Sequence, residues 1–110
     1  MNALRNKVQL IGRLGQDPEI INFADGNKMA KFSLATDESY KDKSGNKVER
    51  TEWHNIVVKG GLVKVVETYV TKGKEIAIEG RLSSRSYDDK EGNKRYITEI
   101  TCNELLMLGK

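Results

Sequence analysis

The amino-acid sequence predicts a mainly β protein, a five-stranded Greek-key OB-type barrel with one α-helix between the third and fourth strands. Three observations lead to this fold class. Several segments alternate polar and apolar residues with the period of a β-strand, turns rich in glycine and asparagine separate them, and one segment has helical apolar spacing. An α+β sandwich would use the same elements, and the residue pattern alone leaves it open.

Two predicted turns divide the first third of the chain. They lie at Gly15-Gln16-Asp17-Pro18 and at Asp25-Gly26-Asn27. The strand segments that they separate are residues 6–14, 20–23 and 28–36. In the last of these, Phe32 alternates with Ala30 and Leu34, so it is predicted to lie in the core.

The third barrel strand is predicted at residues 52–59, where aromatic and β-branched residues are concentrated. Its period of two creates two faces. One face carries Trp53, Asn55, Val57 and Lys59, and the other carries His54, Ile56 and Val58. Because Asn55 and Lys59 resist burial, Trp53 beside them is expected to be exposed. A core position for Trp53 is the alternative.

One helix is predicted after this strand, because apolar residues recur at spacings of three and four. These residues are Leu62, Val65, Val66, Tyr69 and Val70. Gly73 follows as the predicted C-cap. Tyr69 lies on the apolar stripe and is predicted to be a core residue.

The last two strands are predicted at residues 76–82 and 96–102. Gly80 interrupts the first of them and predicts a β-bulge or the close approach of another backbone. Cys102, the only cysteine, is predicted to be a small core residue. A single cysteine also excludes an internal disulfide and a zinc site built from cysteines.

The composition suits one domain over residues 1–110. The net charge of +3 is compatible with an anionic partner. The sequence has neither an apolar run of membrane-spanning length nor a signal-peptide pattern at its start, so a cytoplasmic location without a membrane partner is predicted.

One nine-residue segment occurs twice with few changes, at 39–47 and at 86–94. Each copy places a tyrosine, Tyr40 or Tyr87, before a polar turn that carries lysine. A good hairpin explains this pattern by itself. The second interpretation is nucleic-acid binding, since unpaired bases stack on aromatic rings while phosphates bind lysine and arginine. Trp53 would be a third stacking residue.

Basic residues are concentrated near these three aromatic residues. Those predicted to contact phosphates are Lys41, Lys43, Lys59, Lys72, Arg85 and Arg95; Lys47, Arg50 and Lys94 lie nearby. Any one of them alone would be an ordinary solvated charge. If they bind phosphates together, affinity should fall as the salt concentration rises.

The sequence contains no recognisable catalytic, cofactor or metal site. The only histidine, His54, lies within a strand, where packing or an interface is its more typical role. Asp88, Asp89 and Glu91 lie in a turn beside lysines and are interpreted as solvated charges. The prediction is therefore a binding protein and not an enzyme.

The motifs along the chain resemble those of bacterial single-stranded DNA-binding proteins of the homotetrameric type, over essentially the whole length. The motifs are Asn6-Lys7-Val8, Gly12-x-Leu14-Gly15-Gln16-Asp17-Pro18-Glu19, Leu34-Ala35-Thr36-x-Glu38-Ser39-Tyr40, Thr51-Glu52-Trp53-His54, Tyr69-x-x-Lys72-Gly73 and Ile78-Glu79-Gly80-Arg81-Leu82. The resemblance implies an OB-fold tetramer that binds single-stranded DNA in replication, recombination and repair, near the nucleoid.

The resemblance also implies roles for individual residues. Tyr40, Trp53 and Tyr87 match stacking positions, of which the first and third are more often tryptophan. His54 matches a position at the subunit interface. Basic positions of the DNA path are matched by Lys43, Lys72 and Arg85.

Two features depart from the family pattern. Lys59 occupies a position that is aromatic in the family, which predicts binding that is more sensitive to salt. The chain stops at Leu108-Gly109-Lys110, before the family's linker and acidic tail, so recruitment of other proteins through a tail is not expected. An RNA-binding OB module and a protein-interaction subunit are the alternative functions.

Overall fold

A computed structural model describes residues 5–109 of the chain. Over this range the chain forms eight β-strands and one α-helix. The strands are β1 (Val8–Leu14), β2 (Glu19–Asn22), β3 (Lys28–Asp37), β4 (Tyr40–Lys41), β5 (Lys47–Val48), β6 (Thr51–Lys59), β7 (Glu75–Asp88) and β8 (Lys94–Leu108). The helix, α1, spans Leu62–Tyr69.

Five of the strands close into a ring. The sheet runs in the order β1-β7-β8-β6-β3-β2, and a further antiparallel pairing of β1 with β3 joins its two sides. The ring therefore contains β1, β3, β6, β7 and β8. β2 pairs with the first part of β3, and the short β4–β5 hairpin forms a separate sheet. Since α1 lies between the third and fourth ring strands, the predicted mainly β fold class is confirmed and the α+β sandwich does not describe the molecule.

The core fills the inside of this ring, because alternate residues of each strand point inward. Ala30, Phe32 and Leu34 of β3 are buried, as predicted. Cys102 is buried among them, and burial raises the pKa of its thiol to about 11. The thiol is therefore neutral at physiological pH, as the core position predicts.

The prediction for Tyr69 was wrong, since its side chain is 60% exposed. The buried stripe of α1 consists of Val63 and Val66 and continues to Val70 after the last turn. The apolar residues of α1 fit two overlapping helical stripes, and the contacts of the helix with β3 and β6 select the valine stripe. Tyr69 lies at the edge of that stripe and faces outward.

Gly73 does not cap the helix, which corrects a second prediction. The helix ends at Tyr69, and the cap residue Val70 donates its N–H to the carbonyl of Val66 at 3.1 Å. Gly73 follows in the next turn with φ of 85°. There its N–H donates to the carbonyl of Leu14 at 2.9 Å, so this glycine ties the turn to the end of β1.

Gly80 marks both a bulge and a close backbone approach. The β7–β8 register shifts between Glu79 and Gly80. A methyl group added at Gly80 would overlap the carbonyl oxygen of Thr101 and lie 2.9 Å from its carbon. Beyond this point all residues of β7 from 81 to 88 are exposed, and they pair only with β8. The two strands thus form an arm, residues 81–98, that extends from the barrel.

Candidate nucleic-acid interface

The two repeated segments form the same hairpin turn. In the first, the Asp42 carboxylate accepts hydrogen bonds from the backbone N–H groups of Ser44 and Asn46, at 3.0 and 2.9 Å. In the second, the Asp89 carboxylate accepts the N–H groups of Glu91 and Asn93, at 2.9 and 2.8 Å. The glycine of each turn has φ of 83°, the left-handed conformation that glycine adopts without strain. The hairpin interpretation of the repeat is therefore confirmed.

Each of these turns supports an exposed tyrosine on the preceding strand. Tyr40 pairs with Val48 across the β4–β5 hairpin, and Tyr87 pairs with Arg95 across the arm. Both rings are exposed. The turn fixes the backbone while the aromatic faces stay exposed, and stacking of bases on the two rings stays a prediction.

Trp53 is exposed, as expected, with 58% of its surface accessible. It lies on the outer face of β6 opposite Ala35. Its ring lies directly over Gly15, since a methyl group added to that glycine would be 2.6 Å from the ring carbon Cη2. The small residue beneath the indole thus sets how the ring lies on the barrel.

We expect the substitution Gly15→Ala to weaken single-strand binding without removing any group that contacts the ligand. The added methyl group collides with the Trp53 ring, so the ring must tilt from its resting position. Titration with oligothymidylate should show a lower affinity, and the tryptophan emission of the free protein should change. An unchanged affinity with a shifted emission would show that the ring orientation is unimportant.

A continuous surface runs from Trp53 along the outside of β3 and β6, and we call it the outer face of β3–β6. Its cross-strand pairs are Trp53 with Ala35, Asn55 with Ser33, Val57 with Lys31, and Lys59 with Met29. Among its β6 residues only Val57 is buried. This surface therefore has an aromatic ring at one end and a lysine at the other.

Two of the predicted phosphate contacts are already paired with carboxylates. Arg85 Nε lies 3.0 Å from Glu99 Oε1, and the Glu99 side chain is 9% exposed. This neighbour raises the pKa of Arg85. Arg95 Nε lies 2.9 Å from Asp89 Oδ2, and the pKa of Asp89 is lowered, first by the Asn93 N–H and then by Arg95. Both guanidinium groups are thereby held on the arm beside Tyr87.

The predicted lysines behave differently. The members of this set, Lys41, Lys43, Lys59 and Lys72, are exposed, and none of them forms an ion pair with another residue of the range 5–109. Their charges are available to an anionic ligand. The structure places Lys59 on the outer face of β3–β6, Lys41 and Lys43 at the β4–β5 hairpin, and Lys72 after α1.

His54 lies half-buried on the inward side of β6. Its Nε2 is 3.0 Å from Thr36 Oγ1, which is also 3.1 Å from Glu38 Oε2. These contacts orient the ring within a polar cluster at the end of the barrel. The role of His54 at a subunit interface stays a prediction, since the structure is that of one chain.

Sequence reasoning missed three contributors to this region. Glu99 is a buried carboxylate that holds Arg85, Gly15 supports Trp53, and Phe23 is an exposed aromatic beside the far end of the outer face of β3–β6. For Phe23 a signal existed, because an aromatic residue directly before a polar turn is not required by the turn. The other two roles depend on contacts between distant segments.

The part of the chain that the structure describes contains no group of three or more histidine, cysteine, aspartate or glutamate residues able to hold a metal ion. Among residues 5–109, no helix has the length and apolar character of a transmembrane segment.

A model of the single-strand binding protein family matches residues 5–108. A protein of Xylella fastidiosa called single-stranded DNA-binding protein 1 is 53% identical over 109 residues, which are 98% of this chain and 80% of that protein. A protein of Chlorobaculum tepidum with the same name is also 53% identical, over 94% of this chain and 65% of its own length. The relative in Neisseria meningitidis is 46% identical, and the chain spans 60% of it.

Solved structures show the same similarity. A Plasmodium falciparum SSB in complex with ssDNA superimposes with a TM-score of 0.85 at 35% identity, covering 99% of this chain and 100% of that one. A deletion mutant of the Thermus aquaticus single-stranded DNA binding protein gives a TM-score of 0.81 at 27% identity, over 94% of this chain and 50% of that one.

Proposed function

Because this chain belongs to the single-strand binding protein family, we propose that it binds single-stranded DNA with little sequence preference and protects it during DNA replication, recombination and repair. The observation that carries the proposal is the exposed Trp53 on a surface that ends in the unpaired cation Lys59. An aromatic face beside positive charge suits a flexible polyanion with exposed bases.

Stacking supplies the first part of the mechanism. Tyr40, Trp53 and Tyr87 each present an exposed ring, and every base has a π-face that can stack on it. A stacked base contributes about 1–3 kcal/mol, a range established for OB-fold proteins that bind single strands. Since stacking does not read base edges, this mode of binding tolerates any sequence.

Phosphate binding supplies the second part. Lys41, Lys43, Lys59 and Lys72 bind phosphates as point charges. Arg85 and Arg95 bind them through the guanidinium nitrogens that the pairs with Glu99 and Asp89 leave free. Those pairs fix the two guanidinium groups beside Tyr87, so less rotamer freedom is lost when a phosphate arrives.

The active assembly in this proposal is a homotetramer of one binding module per chain, with His54 and β1 at the subunit contacts. The protein acts by binding and not by catalysis, and needs no cofactor. Single-stranded DNA and further copies of the chain are its proposed partners. The proposed location is the cytoplasm, in association with the nucleoid.

Replacing Lys59 with phenylalanine is expected to make binding less sensitive to salt. Each phosphate neutralised on a single strand contributes about 0.7 to the slope of log affinity against log salt concentration. Loss of Lys59 should make this slope less steep by about 0.7 for each Lys59 side chain that binds a phosphate. The new phenylalanine ring should add a surface on which a base can stack. Lys59→Met is the control that removes the charge without adding a ring. An unchanged slope in both variants would remove Lys59 from the phosphate contacts.

The proposed function is tested by following Trp53 fluorescence during titration with oligothymidylate. Strong quenching by single strands, weakened by salt and absent with a duplex, is the expected result. Competition with matched RNA oligomers measures the preference for DNA. A fluorescence signal that no oligonucleotide changes would refute the proposal and favour a protein-interaction role for the exposed rings.

A further inference from the structure

A cleft of about 870 Å³ separates the β2–β3 turn from α1. Its lining includes Phe23 and Met29 on one side, Lys59 and Gly60 at the end of β6, and Lys64 and Glu67 on the helix. The volume lies in the range of ordinary small-ligand sites. None of the residues predicted from the sequence to contact the ligand lies in this cleft, except Lys59.

The cleft continues the outer face of β3–β6. Lys59 and Met29 form the last cross-strand pair of that face, and both also line the cleft. Lys59 follows Trp53 by six positions along extended β6, a distance of about 20 Å at the usual rise per residue. A single strand that stacks on Trp53 and follows β6 therefore reaches the cleft within the footprint of one OB-fold, about 4–16 nucleotides.

Phe23 presents an aromatic surface here that the turn itself does not need. The backbone of the turn is complete without the side chain, since Phe23 N–H donates to Asn27 at 2.8 Å and its carbonyl accepts the N–H of Gly26 at 3.0 Å. The ring is nevertheless 47% exposed. An exposed phenylalanine beside a lysine offers a base a stacking face next to a phosphate ligand.

The charges of the cleft favour a phosphate. Glu67 is paired with Lys28 at 3.3 Å, and the Asp25 carboxylate accepts hydrogen bonds from the backbone and side chain of Asn27 at 3.0 and 2.9 Å. Lys59 and Lys64 form no ion pair with any residue in the range 5–109. The cleft lining carries three lysines, with Lys28, against the two carboxylates of Asp25 and Glu67, so its net charge is positive.

We propose that this cleft is an additional nucleotide subsite of the single-strand path, in which Phe23 stacks on a base while Lys59 and Lys64 bind the flanking phosphates. The inference rests on the proposed function.

The test compares Phe23→Ala with Phe23→Tyr by fluorescence anisotropy of labelled oligothymidylate, long enough to cover the full path. Phe23→Ala should bind about 5 to 150 times more weakly, the factor that corresponds to loss of one stacked base, with an unchanged salt slope. Phe23→Tyr should restore binding. Lys64→Ala should lower the slope by about 0.7.

Tyr69→Ala is the matched control, because Tyr69 is an exposed ring on α1, the helix that lines the cleft, but lies outside the cleft itself. It should bind as the unmodified chain does. The inference is overturned if Phe23→Ala keeps full affinity, including the case in which it only lowers the melting temperature. Absence of binding by the unmodified chain would instead refute the proposed function, so the two failures are distinguishable.

Discussion

Replacing Trp53 with alanine should weaken binding of single-stranded DNA by about 150 times, the upper end of the range for one stacked base and the largest loss of affinity expected from one substitution. The indole is the largest exposed ring of the three stacking residues, and Gly15 supports it from below. Alanine removes the stacking surface and also opens the space above Gly15. Because the variant lacks the only tryptophan, its binding cannot be followed by tryptophan fluorescence. The measurement is therefore the fluorescence anisotropy of a labelled oligothymidylate.

Trp53→Phe is the control for this experiment, since it keeps a ring and should retain most of the affinity. The folded state should be little affected by either change, because exposed substitutions usually alter the free energy of unfolding by less than about 0.5 kcal/mol. If Trp53→Ala bound as tightly as the unmodified chain at both low and high salt, Trp53 would not be a stacking residue.

Replacing Gly80 with alanine should cause the largest loss of stability, about 3 kcal/mol in the free energy of unfolding. The three atoms nearest to the new methyl group are all backbone atoms of β8, namely the Thr101 carbonyl oxygen and carbon and Cys102 Cα at 3.1 Å. Backbone within a paired strand cannot rotate away as a side chain can, so β7 and β8 must separate at the bulge. Denaturation by urea at one fixed protein concentration measures the change.

The same substitution at Gly61 is the matched control. Gly61 has φ of −61° and no atom near the position of an added methyl group. Gly61→Ala should therefore change the free energy of unfolding by less than about 0.5 kcal/mol. If the two variants had equal free energies of unfolding, β7 and β8 would be able to move apart at Gly80 at little cost. That result would contradict the destabilisation expected from the contacts of the added methyl group.

Much of the fold was predictable because its signals are local. Alternation along residues 28–36 identified the inward side chains of β3, and the glycine within 76–82 identified the bulge that the β7–β8 register shows. The helix was located correctly, and Val66 and Val70 of the predicted stripe are buried, but Val63 was missed and Tyr69 is exposed. Tyr69 and the valine stripe have similar apolar spacing, and only the packing of α1 against the barrel decides between them.

Some features of the candidate site were likewise predictable from local sequence, and others were not. The exposure of Trp53 followed from its polar neighbours on the strand, and the two tyrosine turns followed from their repeated residues. The pairing of Arg85 with Glu99 and the support of Trp53 by Gly15 could not be read from the chain, since these partners are far apart in sequence. The assignment of Phe23 to the end of the ligand path likewise required the cleft.

By itself the sequence determined the mainly β class, the two closely similar turns, the outward face of β6 and the resemblance to proteins that bind single-stranded DNA. Each of these depends on residues close together in the chain or on motifs in a fixed order. Only the tertiary structure decided which helix stripe is buried, which cations are already paired, and how Phe23 and Lys59 come to share a cleft. The physical reason is that these outcomes are set by contacts across the barrel, whose partners no local periodicity specifies.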